Sequence, residues 1–209
     1  MITITIPTKQ RKQRLENCIR SIKGDYRILI GCADPVEDIP ESVLNDDRCL
    51  FYVTHDPIVK VQNMLASKAS VDSHILPISD DIEFESKAIE EALLCMSRVF
   101  SDSDGAVGFN ITNMTKQQSS PYAFMLIGAK FFNQTLHRTL FNEEYYHFYA
   151  DTELGQKADD SGKFTLCEKA KIKHFHPCTG IKPDSTHLHK RNEKWKHDCD
   201  IYQRRLCEC

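Results

Sequence analysis

The chain has 209 residues, 41% of them hydrophobic and 27% charged, with a formal net charge of −3. That length suits one domain with its own core, and the near-neutral charge excludes a global basic field able to recruit nucleic acid or an acidic membrane, so any such contact must be local. No apolar run reaches the roughly eighteen residues a bilayer span needs. The N-terminus lacks the charged-then-apolar layout of a signal peptide, so the chain reads as cytoplasmic with no membrane span.

The nine cysteines, an odd number, are scattered along the chain. A secreted disulfide framework is more often even and belongs to a shorter protein. Cys207 and Cys209 form a terminal CxC without a matching CxxC, which points to reduced thiols rather than zinc.

The first run, Ile2-Thr3-Ile4-Thr5-Ile6, alternates strictly and is β-branched throughout, predicting a strand that ends at Pro7. Across 9–23, Leu15, Cys18, Ile19 and Ile22 follow helical spacing. Strands are predicted at 26–32, 50–53 and 74–78, with a helix at 59–70. Ser86 is placed to cap a helix carrying Ile89, Leu93, Met96 and Phe100. Strand–helix alternation of this kind predicts an α/β fold with a mostly parallel sheet and helices on both sides. In the less regular second half, strands are predicted at 105–111, 123–127 and 171–175, a helix at 152–161, and a charged helix at 190–206.

Ligands of open α/β sheets bind beyond the carboxyl ends of the strands, so polar residues just after strand-like runs are the first candidates. Pro7-Thr8 leads into Lys9, Arg11, Lys12 and Arg14, cations at a helix start where the macrodipole disfavours them. A bound diphosphate would compensate that charge; the alternative is a solvated basic face. Asp80-Asp81 follows an apolar strand, and adjacent acids repel unless a cation or solvent screens them. One or two carboxylates plus substrate phosphates are the usual holders of magnesium, although an Asp pair also makes an ordinary turn. His174-Phe175-His176 puts two imidazoles on one face of a strand, and neutral imidazole ligates manganese-like and zinc-like ions. Asp151 opens a helix, either as its N-cap or as a carboxylate base with Glu153 on the following turn.

Taken in order, these features resemble the GT-A family-2 glycosyltransferases: a strand ending in Pro7-Thr8, Asp34 after the second strand, Ser79-Asp80-Asp81 in the DxD position, the Asp151-Thr152-Glu153-Leu154 helix start followed by Gly162, and the His174-Phe175-His176 strand. The chain has Ala33-Asp34 and Ala150-Asp151 where the family often shows paired acids. The resemblance implies a GT-A domain over 1–189, with 190–209 a charged helix or tail. It implies that Pro7, Thr8 and Asp34 line a nucleotide pocket, that Asp80 faces ribose or metal, that Asp81 ligates Mn2+ or Mg2+, and that His174 or, by preference, His176 completes the metal shell. Asp151 would be the base in an inverting transfer from a nucleotide-sugar donor, UDP-sugar first. The loop 178–189 would be a lid over the donor.

The acceptor is left open between a glycan and a modified DNA base. The second is raised by the basic residues of the last helix, which Trp195 and Tyr202 accompany; an amphipathic packing helix is the other reading. A nucleotidyltransferase is the rival enzyme class, but it calls for a glycine-rich loop after the first strand, and 7–15 contains no glycine. A non-catalytic nucleotide-binding module is the remaining alternative.

Overall fold

The computed structural model describes residues 1–33, 39–115, 120–176 and 191–207. Its first half is the parallel part of a sheet: β1 (Ile2–Thr8), α1 (Lys12–Ser21), β2 (Arg27–Cys32), α2 (Glu41–Leu44), β3 (Cys49–Val53), α3 (Ile58–Ser67) and β4 (His74–Pro77). β1 pairs in parallel with β2 and with β4, and β2 with β3. Ile2, Ile4 and Ile6 join Leu15, Cys18 and Ile19 of α1 in the main core, where full burial of each isoleucine contributes about 1.5–3 kcal/mol. Thr3 and Thr5 are just as buried. The strict alternation therefore marks two buried faces of different chemistry, not one buried and one wet.

On the polar face α3 satisfies Thr5, whereas the buried Thr3 hydroxyl has no hydrogen-bond partner among the described residues. Thr5 Oγ1 donates to Gln62 Oε1 at 2.5 Å, and Gln62 Nε2 donates to the Ile78 carbonyl at 2.9 Å. That second bond explains why β1 runs through Pro7 instead of stopping before it. Ile78 N–H donates to the Thr5 carbonyl, so in parallel pairing the Ile78 carbonyl would next accept from residue 7, which as proline has no N–H. Gln62 supplies the missing donor.

The second half adds β5 (Ile82–Phe84), α4 (Ala88–Val99), β6 (Ala106–Ile111), β7 (Met125–Ile127), a π-helical turn (Phe131–Thr135), α5 (Ala150–Asp160), β8 (Phe164–His174) and, last in the chain, α6 (Arg191–Leu206). The sheet order is β3-β2-β1-β4-β7-β6-β8-β5. Its β7 is antiparallel to both neighbours and β5 antiparallel to β8, whereas β6 and β8 are parallel. Four of the seven strand pairs are thus parallel. Because two reversals separate β4 from β6, the carboxyl ends of β1, β4, β6 and β8 share one edge of the sheet.

Several local expectations are corrected. β8 begins at Phe164, well before 171, because its buried side is carried by the small Cys167 and Ala170, and its pairing with β6 slips between Phe109 and Asn110. α4 starts after Lys87, which takes a left-handed φ of 64°, and no side chain caps it, Ser86 included. β5 is too short to show as an alternation. Cys18, Cys32, Cys49, Cys95, Cys167, Cys199 and Cys207 are free thiols; Cys178 and Cys209 lie outside the described residues. Among the described residues no helix is long and apolar enough to cross a membrane.

Gly155 sets a test of this packing. Alanine is the better helix former by about 1 kcal/mol, yet a Cβ at 155 would lie 2.3 Å from Tyr122 Cβ and Cγ. Tyr122 is pinned through its hydroxyl to Asp159 at 2.9 Å, so the ring cannot swing away. Overpacking of this kind costs about 1–3 kcal/mol. Gly155→Ala is therefore expected to lower stability in urea unfolding, and a stabilised variant would contradict the close approach.

Candidate active site

The site lies where the carboxyl ends of β1, β4 and β8 meet. Chain direction changes sides between β1 and β4, with β2 on one flank and β4 on the other, which makes this junction the switch point at which α/β sheets bind ligands. Ser79, Asp80 and Asp81 leave β4 there, and both acids are buried, at 2% and 4% exposure. Thr8, the last residue of β1, donates its Oγ1 to Asp80 Oδ2 at 2.7 Å. Arg11 Nη1 bonds Asp80 Oδ1 at 2.9 Å and lies 3.4 Å from Asp81 Oδ2. Arg14 Nη1 is 3.6 Å from the same Asp81 oxygen and donates to the Phe175 carbonyl at 3.0 Å.

On the opposite wall, His174 Nε2 is 3.4 Å from Asp81 Oδ1. The Phe175 amide donates to the Asp81 carbonyl, which ties the end of β8 to the acid pair. Ser79 Oγ donates to Asp81 Oδ1 at 2.5 Å. These contacts split the two carboxyls. Burial, with the Asp81 charge, pushes Asp80 up to about 6 against the pull of Arg11 and Thr8. Burial acts on Asp81 too, but His174, Ser79 and Arg11 overrule it and hold that carboxyl well below the usual range.

The basic opening of α1 thus has a partner inside the protein. Arg11 and Arg14 face Asp80 and Asp81, so the broken macrodipole rule is compensated before any diphosphate arrives. Beside them, Thr8, Gln10, Arg11, Lys12, Leu15, Cys32, Ile39 and Pro40 line a cavity of ≈ 400 Å³. Pro7 is buried in β1 and does not line it. Asp34 and the loop 178–189 lie outside the described residues. A larger open cleft of ≈ 520 Å³ borders His74, Asp102 and Lys130. It sits at the amino end of β4, away from the acid pair.

His174, the alternative to His176, is the imidazole placed at Asp81; the His176 ring is 5.3 Å from that of His174. Among the described residues no group of three His, Cys, Asp or Glu side chains is arranged to hold a metal alone. The donor chemistry nevertheless fits. Ligand bonds of about 2.1 Å at roughly right angles put two donor atoms about 3 Å apart, close to the Asp81–His174 separation of 3.4 Å. A carboxylate, an imidazole and phosphate oxygens from a ligand make an acceptable divalent set.

Asp151 stands in the first turn of α5, inside the helix and not at its cap, which is Tyr149 with φ 63°. Its Oδ1 accepts the Thr152 amide at 2.8 Å, satisfying one orphan N–H of that turn. Burial pushes its carboxyl up to about 6, opposed mainly by that amide. The field of His174 also reaches it. Glu153 faces elsewhere: it accepts from Tyr145 Oη at 2.6 Å and from Arg205 Nε at 3.0 Å, and pairs with Lys157. Its role is to anchor α5. Sequence reading missed His147, an exposed side chain within the electrostatic reach of Asp81 and Arg11, and Asp198, a fully buried carboxylate on α6. The one trace of Asp198 in the sequence is its place on the helix face of Trp195, Ile201 and Tyr202.

No family model matches the chain, and no curated protein matches it. Its fold, however, is that of the GT-A glycosyltransferases. S. aureus TarS superposes with a TM-score of 0.60 at 9% identity, over 86% of this chain and 37% of TarS. GalNAc-T7, crystallised with UDP, GalNAc and Mn2+, gives 0.58 at 10% identity, over 90% of this chain and 45% of its own. The chain therefore spans less than half the length of either. A 4-diphosphocytidyl-2C-methyl-D-erythritol synthase from Anaerococcus prevotii gives 0.55 at 12% identity, over 97% of this chain and 96% of its own.

Arg11 offers a direct test of the charge balance. Arg11→Met leaves Asp80 buried without its closest cation, and breaking such a pair costs about 3 kcal/mol. Denaturant unfolding is expected to show a loss of that order, with part of it regained in Arg11→Met/Asp80→Asn. A neutral single variant would mean that the guanidinium does not carry the acid pair.

Proposed function

We propose that this chain transfers a sugar from a nucleotide-sugar donor to an acceptor hydroxyl. The observation that carries this reading is the buried Asp80–Asp81 pair, with His174 against Asp81, at the switch point of a GT-A fold and beside a cavity at the end of β1. In this reading Thr8 and Arg11 border the nucleotide, with Pro7 shaping the strand end behind them and Asp34 as a further proposed nucleotide contact. Asp80 orients Thr8 and Arg11. Asp81 and His174, with His176 as the neighbouring imidazole, would hold Mn2+ or Mg2+. When bound, that ion supplies charge to balance the departing diphosphate.

The chain's own residues do the rest. Asp151 accepts the proton of the acceptor hydroxyl as that oxygen attacks the anomeric carbon from the face opposite the diphosphate, giving inversion. The Thr152 amide holds the Asp151 carboxylate in one orientation. The carboxylate must be ionised to accept a proton, so a carboxyl at about 6 is a better base than an ordinary one while still working at neutral pH. A saccharide hydroxyl is the favoured acceptor. The polyanion reading of α6 loses Arg204 to Glu144 and Arg205 to Glu153, at 2.9 and 3.0 Å.

Nucleotidyl transfer has one observation in its favour, the end-to-end superposition on the diphosphocytidyl-methylerythritol synthase. Against it stands the stretch 7–15, which has no glycine to let a phosphate-cradling backbone turn after β1.

Two measurements test this function. Uridine diphosphate with Mn2+ is expected to give the largest thermal stabilisation among nucleotides, and Asp81→Ala to abolish its metal-dependent part in calorimetry. Unchanged metal-dependent affinity in Asp81→Ala would remove that residue from the site. For the base, Asp151→Asn is expected to keep donor binding and lose about a hundredfold or more in rate. The wild-type rate should rise with pH through about 6, where Asp151 ionises. A fully active Asp151→Asn variant, or an acid limb near 4, would return Asp151 to a purely helical role.

A further inference from the structure

Asp198 is 0% exposed, and its carboxylate is surrounded by backbone donors from a segment some fifty residues earlier in the chain. Oδ1 accepts the Tyr146 amide at 2.9 Å, and Oδ2 accepts the His147 and Phe148 amides at 2.9 and 2.8 Å. His197 Nδ1 lies 3.0 Å from Oδ1. Three successive N–H groups converging on one anion form a nest, here filled by a side chain of the protein itself.

The segment so gathered leads directly into α5. Tyr149, which follows it, holds a left-handed φ of 63°, a conformation that a bulky residue keeps only when its surroundings over-determine it. α6 provides those surroundings. The Tyr149 ring stacks on Tyr202 at 5.0 Å and 15°, Tyr202 Oη donates to Gln156 Oε1 at 2.7 Å, and Arg205 Nε reaches both oxygens of Glu153. His147, fixed through its amide, lies within the electrostatic reach of Asp81 and Arg11. For packing alone an apolar side chain of similar size would serve α6 as well or better. A buried carboxylate instead dictates one backbone conformation.

We propose that Asp198 is a positioning residue for the transfer reaction: it fixes the backbone of 146–148 and, through Tyr149, the start of α5 that carries Asp151. This rests on the reading of Asp151 as the base. In Asp198→Asn one oxygen becomes an NH2 group facing the amide donors, so at least one N–H loses its acceptor.

The test has two arms on the full-length protein. In hydrogen exchange without ligand, Asp198→Asn is expected to speed exchange at 146–148 while the amides of β1 and β4 stay protected; unchanged exchange at 146–148 overturns the proposal. In kinetics corrected for the folded fraction, kcat is expected to fall on the order of tenfold to a hundredfold, as misplacement of a catalytic group does, with the donor KM within about twofold of wild type. A helix that merely holds the fold together would lower the folded amount and leave kcat per folded molecule unchanged. That result overturns the catalytic part. A fully active Asp151→Asn variant would sink the base reading instead, and the exchange arm would still decide whether Asp198 holds the loop.

Discussion

Burying an ionised carboxylate costs several kcal/mol even after relaxation, and Asp80 and Asp81 place two of them side by side beyond β4. The surrounding architecture answers that cost. β1 ends in Thr8, whose hydroxyl reaches Asp80; α1 starts with Arg11 and Arg14 aimed at the pair; β8 ends in His174 against Asp81. Three elements far apart in sequence meet at one point because each supplies a donor or a positive charge that the acids require. Moving any of them away would take a partner from a buried carboxylate.

The same balance bears on ligand binding. With both guanidiniums already engaged, an arriving diphosphate either draws Arg11 and Arg14 away from the acids or comes with a cation of its own. A divalent ion held by Asp81 and His174 would meet this demand without unpairing the acids, because a bound ion is often the largest local charge in such a site. The cavity bordered by Thr8, Arg11 and Lys12 places the ligand where this competition would take place.

The face that carries the proposed base is assembled from a different direction. α5 reaches the site through a loop held by α6, with Glu153, Gln156 and the 146–148 backbone all bonded to the last helix. Of the charged residues of α6, Asp198 and Arg205 are engaged in those bonds, and Arg204 pairs with Glu144. A helix that reads from the sequence as a charged tail or an amphipathic packing helix is therefore bonded to the segment before α5, and Tyr149, with its left-handed φ, stacks on it.

Much of this was legible in the order of residues. Alternation in β1, helical spacing in α1 and the apolar strand before Asp80-Asp81 reflect local periodicity, and periodicity needs no knowledge of distant partners. It placed the α/β fold, the acid pair after a strand and Asp151 at the start of a helix. It failed where the deciding contact is remote. The β8 strand was cut short because its small buried residues and slipped register obscure the alternation. Alternation in β1 does not say that Thr3 and Thr5 are as buried as the isoleucines between them. Above all, the run with Arg11 and Arg14 left a bound diphosphate and a solvated basic face both open, and the pattern of the last helix did not say what Asp198 bonds. Which charge neutralises which depends on chain segments brought together over fifty or more residues, so only the tertiary structure could pair α1 with the acids and α6 with the loop before α5.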